Sequence, residues 1–511
     1  FLFLTRQTLI VMSRRVEYDL RNAIYSHYQN LTLSYYRKSK TGDLMARITE
    51  DVGRVRMYLG PGIMYTINTI SLSIIVISTM LMVNPALTLY TILPLPILSL
   101  IIYWMESRVL SRSDKIQQQL SKLTAFTQEI YSGIRVAKAY VREDDFANRF
   151  SKESTAYKRY SLRLIRLNSF FFPVVMLLIG LSSAITIWVG AEKVIAGSLS
   201  IGNIAEFIIY VSMLTWPIIA IGWVTSLIQR AAASQERINQ LLLEVPEIKF
   251  LESDKTISAA HIVFDNVSFT YPHTGIQAVK NVSFELKPGQ KLGILGSTGS
   301  GKSTLCNLLP RLLDPDSGSI RIDGVAIEEF GMENLRAAIG YAPQDVFLFS
   351  DSIKENIAFG MPGASLEAVT RAAKKSGIHD NIMSFPEKYE TRVGERGVTL
   401  SGGQKQRIAL SRAWIRNPHL LILDDSLSAV DTKTEELILS NLRSARSEHA
   451  EMSIIMVSHR ISTIQDSDLI LVMDGGEVIE QGKHSDLIAA NGYYSAIYRK
   501  QLLEKEMSVE E

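Results

Sequence analysis

Three stretches of this sequence carry no charged side chain, and together they hold enough apolar residues for four membrane crossings. Residues 57–105, 167–191 and 207–229 contain no Asp, Glu, Lys or Arg. A membrane-spanning helix needs about 20 apolar residues, so the first stretch can hold two helices. The residue before a proline resists the helical conformation, which makes Asn84-Pro85 the natural turn between them. We therefore predict spans near 60–84, 86–106, 167–191 and 203–229.

Cationic residues indicate the orientation of these spans. The segment 107–166 is dense in Lys and Arg, whereas the 192–202 loop has only Lys193. Because cytoplasmic loops carry the excess of positive charge, residues 1–56, 107–166 and everything after 230 are predicted to be cytoplasmic. Residues 107–166 contain few Gly or Pro and have apolar residues at helical spacing. This pattern predicts a hairpin of two helices with its tip near Gly133. Either the tip contacts a cytoplasmic partner or the hairpin is solvated.

Composition narrows the functional classes. The 511 residues contain 54 Lys and Arg against 52 Asp and Glu, a net charge of +2 that gives no support to nucleic-acid binding. A hydrophobic content of 47% is consistent with a chain that lies partly in lipid. The single cysteine, Cys306, excludes an internal disulfide and a multi-cysteine metal site. Phe1 to Leu4 resemble the end of another hydrophobic helix, so we expect a fragment that lacks its first membrane hairpin.

After residue 230 the sequence becomes polar, and from 261 it alternates strand-like with helical stretches. The runs Ile262 to Phe264, Lys291 to Leu295, Leu420 to Leu423 and Ile454 to Val457 are strand-like. This alternation is typical of a parallel α/β sheet. The predicted division is a transmembrane domain over 1–230, a linker over 231–260, an α/β domain over 261–500 and a tail over 501–511.

A glycine-rich loop lies between a predicted strand and a predicted helix. It reads Gly296, Ser297, Thr298, Gly299, Ser300, Gly301, Lys302, Ser303, Thr304 and satisfies the P-loop pattern. In such a loop backbone N–H groups approach the phosphates of ATP, the lysine neutralises the outer phosphates, and the first hydroxyl binds Mg²⁺. Asp424, at the end of another predicted strand, is expected to present a second Mg²⁺ ligand. The expected cofactors are therefore ATP and Mg²⁺.

A second motif carries a family resemblance. Leu400 is followed by Ser401, Gly402, Gly403 and Gln404, the signature sequence of ATP-binding cassette (ABC) proteins, and it precedes Asp424 as in that family. The whole chain resembles a half-transporter of the ABC exporter type. The fold that this implies is an α-helical transmembrane bundle of the type I exporter kind, followed by an α/β P-loop NTPase cassette. A multi-pass location in the cell (inner) membrane, with a cytoplasmic cassette, is expected.

The resemblance implies further roles. Tyr271 matches the aromatic residue that stacks on adenine, Gln344 the glutamine that contacts Mg²⁺, and His459 the switch histidine near the γ-phosphate. Thr391–Gly397 resembles a segment that touches the cytoplasmic helices, and Ser428–Asp431 the loop that communicates across the cassette dimer. In this family ATP binds between the P-loop of one cassette and the signature of another. The expected partner is therefore a second half-transporter. The tips near Gly133 and around 41–53 are expected to be the coupling helices that contact the cassettes and transmit their closure.

One position departs from the family pattern. Most members have Glu after the Mg²⁺-site aspartate as the general base, whereas this chain has Asp425. Its carboxylate is retracted by roughly 1.5 Å, and a misplacement of about 1 Å can cost around 100-fold in rate. Hydrolysis at the chain's own P-loop is therefore expected to be slow, while its signature is intact. This combination resembles that of a subunit in heterodimeric exporters with one weak and one competent site. A homodimer that tolerates Asp425 through a shifted water is the alternative.

ATP-driven export of an amphipathic or apolar compound is the expected function, and drugs, lipids and peptides all remain open as cargo. The charge-free spans contain no ionisable residue of the kind that marks ion routes. An ATP-gated channel or sensor is the alternative that Asp425 keeps open. The four predicted membrane spans argue against a soluble cassette ATPase. The presence of membrane and cassette parts in one chain argues against an importer, in which they are usually separate chains.

Overall fold

The computed structural model describes residues 2–248, 252–394, 397, 399–448 and 452–507. Contacts divide the chain into two compact units. The first comprises Phe1–Asn30 and Lys40–Glu244, and the second comprises Leu31–Ser39 and Val245–Glu511.

The first unit is helical, with short π-helical turns that join some of its helices. The helices before residue 245 are α1 Leu2–Thr5, α2 Val11–Asn30, α3 Leu33–Lys38, α4 Thr41–Ala46, α5 Val52–Met57, α6 Ile63–Val83, α7 Pro85–Ile92, α8 Pro94–Ser132, α9 Ile134–Ala139, α10 Glu143–Ser169, α11 Phe171–Ile195 and α12 Ile201–Leu242. Of these, α3 belongs to the second unit.

Local sequence explains where these helices begin and end. Asn84 is extended and its side chain accepts a hydrogen bond from the Leu87 N–H at 2.9 Å, so it caps α7 while Pro85 occupies the first turn. Ser200 and Asn203 form a reciprocal capping box at the start of α12. The turn at Asn84-Pro85 and the polar connection before residue 201 therefore interrupt the helices for identifiable reasons.

Among the described residues, four helical segments are long and apolar enough to cross a membrane. They are Thr41–Val83, Pro85–Ser132, Glu143–Ile195 and Ile201–Leu242. Large apolar side chains lie on their outer surfaces: Ile74 and Ile75 on α6 are 60% and 65% exposed, and Trp188 on α11 is 73% exposed. So much apolar surface is unfavourable in water and suits hydrocarbon.

Small polar side chains connect the apolar helices internally. The hydroxyls of Thr91 on α7 and Thr186 on α11 lie 2.9 Å apart, and the Ser182 hydroxyl donates to the Thr91 carbonyl at 2.6 Å. Such interhelical hydrogen bonds contribute to helix association in membranes, where the hydrophobic effect does not act between helices.

Helices α8 and α10 form the charged hairpin. The Arg112 guanidinium donates to the Arg163 carbonyl at 2.7 Å, Gln119 donates to the Glu153 carbonyl at 3.2 Å, and the rings of Phe126 and Phe146 are 6.3 Å apart. As the contacting residue moves forward along α8, its partner moves back along α10, so the two helices are antiparallel. The chain turns through Gly133 and the short helix α9.

The second unit contains two sheets. Its strands are β1 Ile262–Thr270, β2 Gln277–Leu286, β3 Lys291–Gly296, β4 Ser317–Ile322, β5 Val325–Ala326, β6 Ile339–Ala342, β7 Leu420–Asp424, β8 Ser453–Val457, β9 Leu469–Asp474 and β10 Glu477–Gly482. The antiparallel sheet has the order β2-β1-β4-β5, and the larger sheet has the order β10-β9-β3-β8-β7-β6. All pairs of the larger sheet are parallel except β9 with β10.

Helices cover these sheets and also form a separate layer. They are α13 Lys302–Leu308, α14 Met332–Ala337, α15 Ile353–Ala358, α16 Leu366–Lys375, α17 His379–Met383, α18 Gly402–Trp414, α19 Thr432–Glu448, α20 Ile461–Ile464, α21 His484–Ala489 and α22 Tyr493–Met507. Helices α15 to α18 share their own apolar core, which includes Leu348, Ile353, Val369 and Ile408. The signature helix α18 therefore belongs to a helical subdomain.

The parallel strands position the site. Every residue of β3, β7 and β8 is buried, as expected for strands covered on both faces. In register, Ile294 and Asp424 both align with Val457, so these strands end at one edge. Ligands of open α/β sheets bind at the carboxyl ends of the strands.

Three boundaries differ from those expected from the sequence. The linker expected over 231–260 begins later, because α12 continues to Leu242 and the first unit continues to Glu244. Residues 31–39, expected within a transmembrane domain, cluster with the second unit because α3 packs there: the Ser34 hydroxyl donates to Glu247 at 3.3 Å, and the Lys38 amine lies 3.8 Å from the same carboxylate. Residue 501, expected to begin a tail, lies inside α22.

Candidate active site

The loop between β3 and α13 depends on two glycines. A Cβ atom at Gly296 would lie 2.2 Å from the Met473 carbonyl oxygen, and one at Gly301 would lie 2.0 Å from the Ala278 carbonyl oxygen. Gly301 also has a φ of 96°, which disfavours residues with side chains. The backbone can take this path only without side chains at both positions. Ser297, Thr298 and Gly299 are exposed at the top of the loop, whereas Ser300 is buried.

Lys302 is folded into this loop. Its amine donates to the carbonyls of Gly296 at 2.9 Å and Ser297 at 2.7 Å, and the residue is only 7% exposed. Burial lowers the pKa of Lys302, and the carboxylates of Asp424 and Asp425 act in the opposite direction. The loop therefore holds a cation among oriented backbone groups, an arrangement suited to anionic ligands.

Ser303 and Asp424 join the loop to the end of β7. The Ser303 hydroxyl donates to Asp424 at 3.1 Å, and Asp424 is buried. Burial raises the pKa of Asp424, while the hydrogen bond from Ser303 lowers it. Within the described ranges, no cluster of three His, Cys, Asp or Glu side chains is arranged to hold a metal. The pair nevertheless supplies two oxygen donors of the kind that Mg²⁺ binds alongside phosphates and waters.

Gln344 lies on the adjoining loop after β6, where its side chain is exposed. Strand β6 pairs with β7, and Ala342 aligns with Leu423. Gln344 and Asp424 thus lie beyond the carboxyl ends of neighbouring strands.

Tyr271 follows β1 and reaches the helix after the loop. Its hydroxyl lies 2.9 Å from the Thr304 hydroxyl, and its ring is perpendicular to the ring of Phe269, with the two centroids 5.0 Å apart. The Arg37 guanidinium of α3 lies over the Tyr271 ring, 5.1 Å from its centroid. Arg37 was not anticipated from the sequence, because no local pattern indicates a contact with a residue more than 200 positions away.

Asp425 and His459 follow neighbouring strands, β7 and β8. Asp425 has a φ of 46°, and its N–H donates to the Val457 carbonyl at 3.1 Å. Burial raises the pKa of Asp425, and the nearby His459 partly offsets this shift. Both residues line a cavity of about 70 Å³, which also contacts Ser428 and Glu435. Asp425 and His459 therefore border one small, partly polar space.

The signature residues form the start of α18. The Ser401 hydroxyl accepts from the Gln404 N–H at 3.3 Å, and the Gln404 side chain accepts from the Ser401 N–H at 2.9 Å. A Cβ at Gly403 would lie 2.7 Å from the Ala429 carbonyl oxygen, whereas one at Gly402 would make an ordinary contact with the Ala429 side chain. Ser401 and Gly402 are exposed at this end of the helix.

Gln406, two residues beyond the signature, was also not predictable from a sequence motif. Its side-chain amide donates to the Ser428 hydroxyl at 3.1 Å and to the Asp425 carbonyl at 3.4 Å, and its oxygen accepts from the Ala429 N–H at 3.0 Å. The signature helix is thus tied directly to the segment after Asp425. Asp431 ends that segment by capping α19 through the Thr434 N–H at 3.0 Å. In the segment Thr391–Gly397, Glu395 and Arg396 lie outside the described residues.

Comparison with protein families decides what kind of protein carries this site. Residues 1–218 match the model of the ABC transporter transmembrane region, and residues 279–428 match that of the ABC transporter. "Probable multidrug resistance ABC transporter ATP-binding/permease protein YheI" of Bacillus subtilis is 38% identical over 96% of this chain and 83% of the relative. The chain belongs to the ABC transporter family.

Two further similarities agree. "Multidrug resistance-like ATP-binding protein MdlA" of Escherichia coli is 35% identical over 98% of this ABC transporter and 85% of the relative. A bacterial Atm1-family ABC exporter, solved with ATP bound, superposes with a TM-score of 0.81 at 29% identity, covering 96% of this chain and 86% of the other.

The predicted family and fold class are confirmed, as is a membrane location with an ATPase cassette coupled to transport. The family of the cassette implies ATP binding. The exporter half-transporter fold also implies pairing with another ABC half.

Proposed function

We propose that this chain is one half of a heterodimeric exporter that moves an amphipathic or apolar compound across the membrane by alternating access. The observation that carries the proposal is an intact signature, Ser401 to Gln404, in the same chain as Asp425 in the place of the usual Glu. In this arrangement, ATP binding closes the two cassettes and turns the membrane cavity outward. Hydrolysis then returns the cavity to its inward-facing state.

The residues of the loop bind the nucleotide. Backbone N–H groups from Gly296 to Ser303 hold the phosphates, and Lys302 transfers its hydrogen bonds from the loop carbonyls to the outer phosphates. Tyr271 stacks on adenine, with Thr304 holding its hydroxyl at 2.9 Å. Ser303, Asp424 and Gln344 would hold Mg²⁺, and the bound ion would supply neutralisation of charge on the phosphoryl group. This assignment uses the two oxygen donors that already lie 3.1 Å apart.

Asp425 makes hydrolysis at this chain's own loop slow. Its carboxylate is shorter by one methylene than that of Glu, and an error of about 1 Å in the position of a catalytic group can cost around 100-fold in rate. His459, which borders the same cavity, contacts the γ-phosphate. Bound ATP therefore persists at this site and stabilises the closed dimer.

The signature of this chain completes the second site. Ser401 and the first N–H groups of α18 face a ligand on the partner, where the helix N-terminus and the serine hydroxyl stabilise the γ-phosphate. If the partner has Glu after its own Mg²⁺ aspartate, productive turnover occurs there.

An apolar cargo is supported by two observations. The membrane spans within 57–105, 167–191 and 207–229 carry no charged residue. Two relatives are named as multidrug resistance or multidrug resistance-like proteins. The same chemistry, apolar surface with few fixed charges, suits drugs, lipids and apolar peptides.

Transport by the purified complex in proteoliposomes tests this function, with rhodamine 6G as an apolar cationic probe. Export predicts accumulation that requires ATP, ATPase stimulated by the probe, and loss of both with Ser401→Arg, which obstructs the partner's site. Arg416→Ala, an exposed change after the same helix, serves as the control.

An ATP-gated channel is the second candidate, and Asp425 is the residue that favours it, because slow hydrolysis suits a nucleotide that holds a conformation. Passive flux of the probe that persists with a non-hydrolysable ATP analogue, without stimulation of the ATPase, would support the channel and contradict export.

A further inference from the structure

The C-terminal helix α22 contacts the loop that carries His459. The Gln501 side-chain nitrogen donates to the His459 carbonyl at 2.7 Å, and its oxygen accepts from the Ile461 N–H at 2.9 Å. One side chain thus binds backbone groups on both sides of Arg460. Two hydrogen bonds from a single planar amide fix both the position and the direction of this turn.

Helix α22 is itself firmly attached to the cassette. Tyr494 is fully buried in the core, and its hydroxyl lies 2.7 Å from His484 Nδ1. The Glu480 carboxylate of β10 accepts from the N–H groups of Tyr493 and Tyr494, and so caps the helix at its start. Gln501 therefore projects from a rigid element.

Helix α19 also holds the same loop. The Glu435 carboxylate accepts from Arg460 at 2.8 Å and from the Thr463 hydroxyl at 2.5 Å, and Glu435 is buried. In contrast, the His459 residue is exposed. The backbone on either side is thus fixed while the imidazole remains available for a ligand.

We propose that Gln501 is a positioning residue for the switch histidine, so that α22 is part of the catalytic apparatus. This inference rests on the proposed role of His459 at the γ-phosphate. The amide is suited to the task because the turn offers one acceptor and one donor. A carboxylate at position 501 would keep the bond from Ile461 and oppose the His459 carbonyl with a second acceptor.

Gln501→Met tests the proposal, because methionine is similar in length but makes neither hydrogen bond. The assay uses the full-length complex with Asp425→Glu in this chain and the P-loop lysine of the partner replaced by alanine, so that turnover reports this chain's own site. We expect Gln501→Met to lower kcat about 10-fold to 100-fold, with the Kd for ATP changed by less than about twofold. Gln501→Glu should have an intermediate kcat.

Lys500→Ala is the matched control, because Lys500 is an exposed neighbour on α22 whose amine lies 3.9 Å from Glu504. It should leave kcat unchanged. Gln501→Met combined with His459→Ala should be no slower than His459→Ala alone, because both changes act through one group.

Two results would overturn the inference: a kcat for Gln501→Met equal to that of the unchanged chain, or equal losses of kcat and ATP affinity, which would indicate only a structural role. If His459→Ala slows turnover and Gln501→Met does not, the inference alone fails. If His459→Ala also has no effect, the proposed role of the histidine fails as well.

Discussion

At the scale of single residues, the nucleotide loop combines a strict steric requirement with one buried cation. Gly296 and Gly301 press against carbonyl oxygens of other segments, and Lys302 is held by the loop's own carbonyls. The motif itself made these residues predictable from the sequence. The close approach of Met473 and Ala278, which makes the glycines necessary, comes from distant segments and was not predictable.

Lys302→Ala should weaken ATP binding at this site by at least tenfold, about 1.4 kcal/mol. The physical reason is the loss of the only cation held inside the described part of the loop. Binding of a fluorescent ATP analogue measures the effect. Lys280 is a half-exposed residue on β2, and Lys280→Ala should bind ATP normally. Equal affinity in both variants would contradict the role of Lys302 in ATP binding.

Asp425→Glu should raise turnover at this chain's own site by about 10-fold to 100-fold, because the carboxylate regains the missing methylene. The backbone at this position has a φ of 46°, a conformation that Asp tolerates better than Glu, so a loss of stability of about 1 kcal/mol should accompany the gain. ATPase rates and thermal unfolding measure the two effects. An unchanged ATPase rate would rule out a weakened base.

The raised pKa of Asp425 predicts a pH-dependent effect on stability. Because the folded-state pKa lies above the ordinary value, the ionised carboxylate is less favourable in the folded protein than in the unfolded chain. Asp425→Asn should therefore stabilise the nucleotide-free protein near pH 7. The advantage should shrink as pH falls through the raised pKa toward 3.8. Unfolding curves over this range measure it, and a pH-independent difference would contradict the assignment.

At the scale of elements, the sequence anticipated which strands carry the site. The predicted strands from Lys291, Leu420 and Ile454 correspond to β3, β7 and β8, and the predicted helix after the glycine-rich loop corresponds to α13. These elements were predictable because buried parallel strands read as short apolar runs. Contacts between distant elements were not. Arg37 on Tyr271, Gln406 on Ser428 and Gln501 at His459 all join residues that only the folded chain brings together.

Gln406→Met should uncouple the signature helix from the segment after Asp425. Gln406 is 7% exposed, and its loss leaves the Ala429 N–H without its side-chain acceptor, at a cost of about 1–3 kcal/mol. We expect lower thermal stability and slower ATP hydrolysis by the complex. Arg416→Ala should match the unchanged protein. Normal hydrolysis by Gln406→Met would show that this connection has no catalytic role.

At the scale of the whole molecule, composition and charge pattern were sufficient to predict a helical membrane part and an α/β cassette. The charge-free stretches correspond to helices long enough to cross a membrane, because apolar length is the main requirement for spanning. The grouping of Leu31–Ser39 with the second unit was not predictable. It depends on Ser34, Arg37 and Lys38, ordinary polar residues whose partners lie far along the chain.

The native mass of the complex distinguishes a heterodimer from a homodimer. The full-length chain, carrying an affinity tag, is recovered from its source membrane, and the subunits of the intact complex are weighed. We predict one copy of this chain with one different ABC half, which has Glu after its Mg²⁺ aspartate. Two identical copies would contradict the heterodimer and make Asp425 a working base.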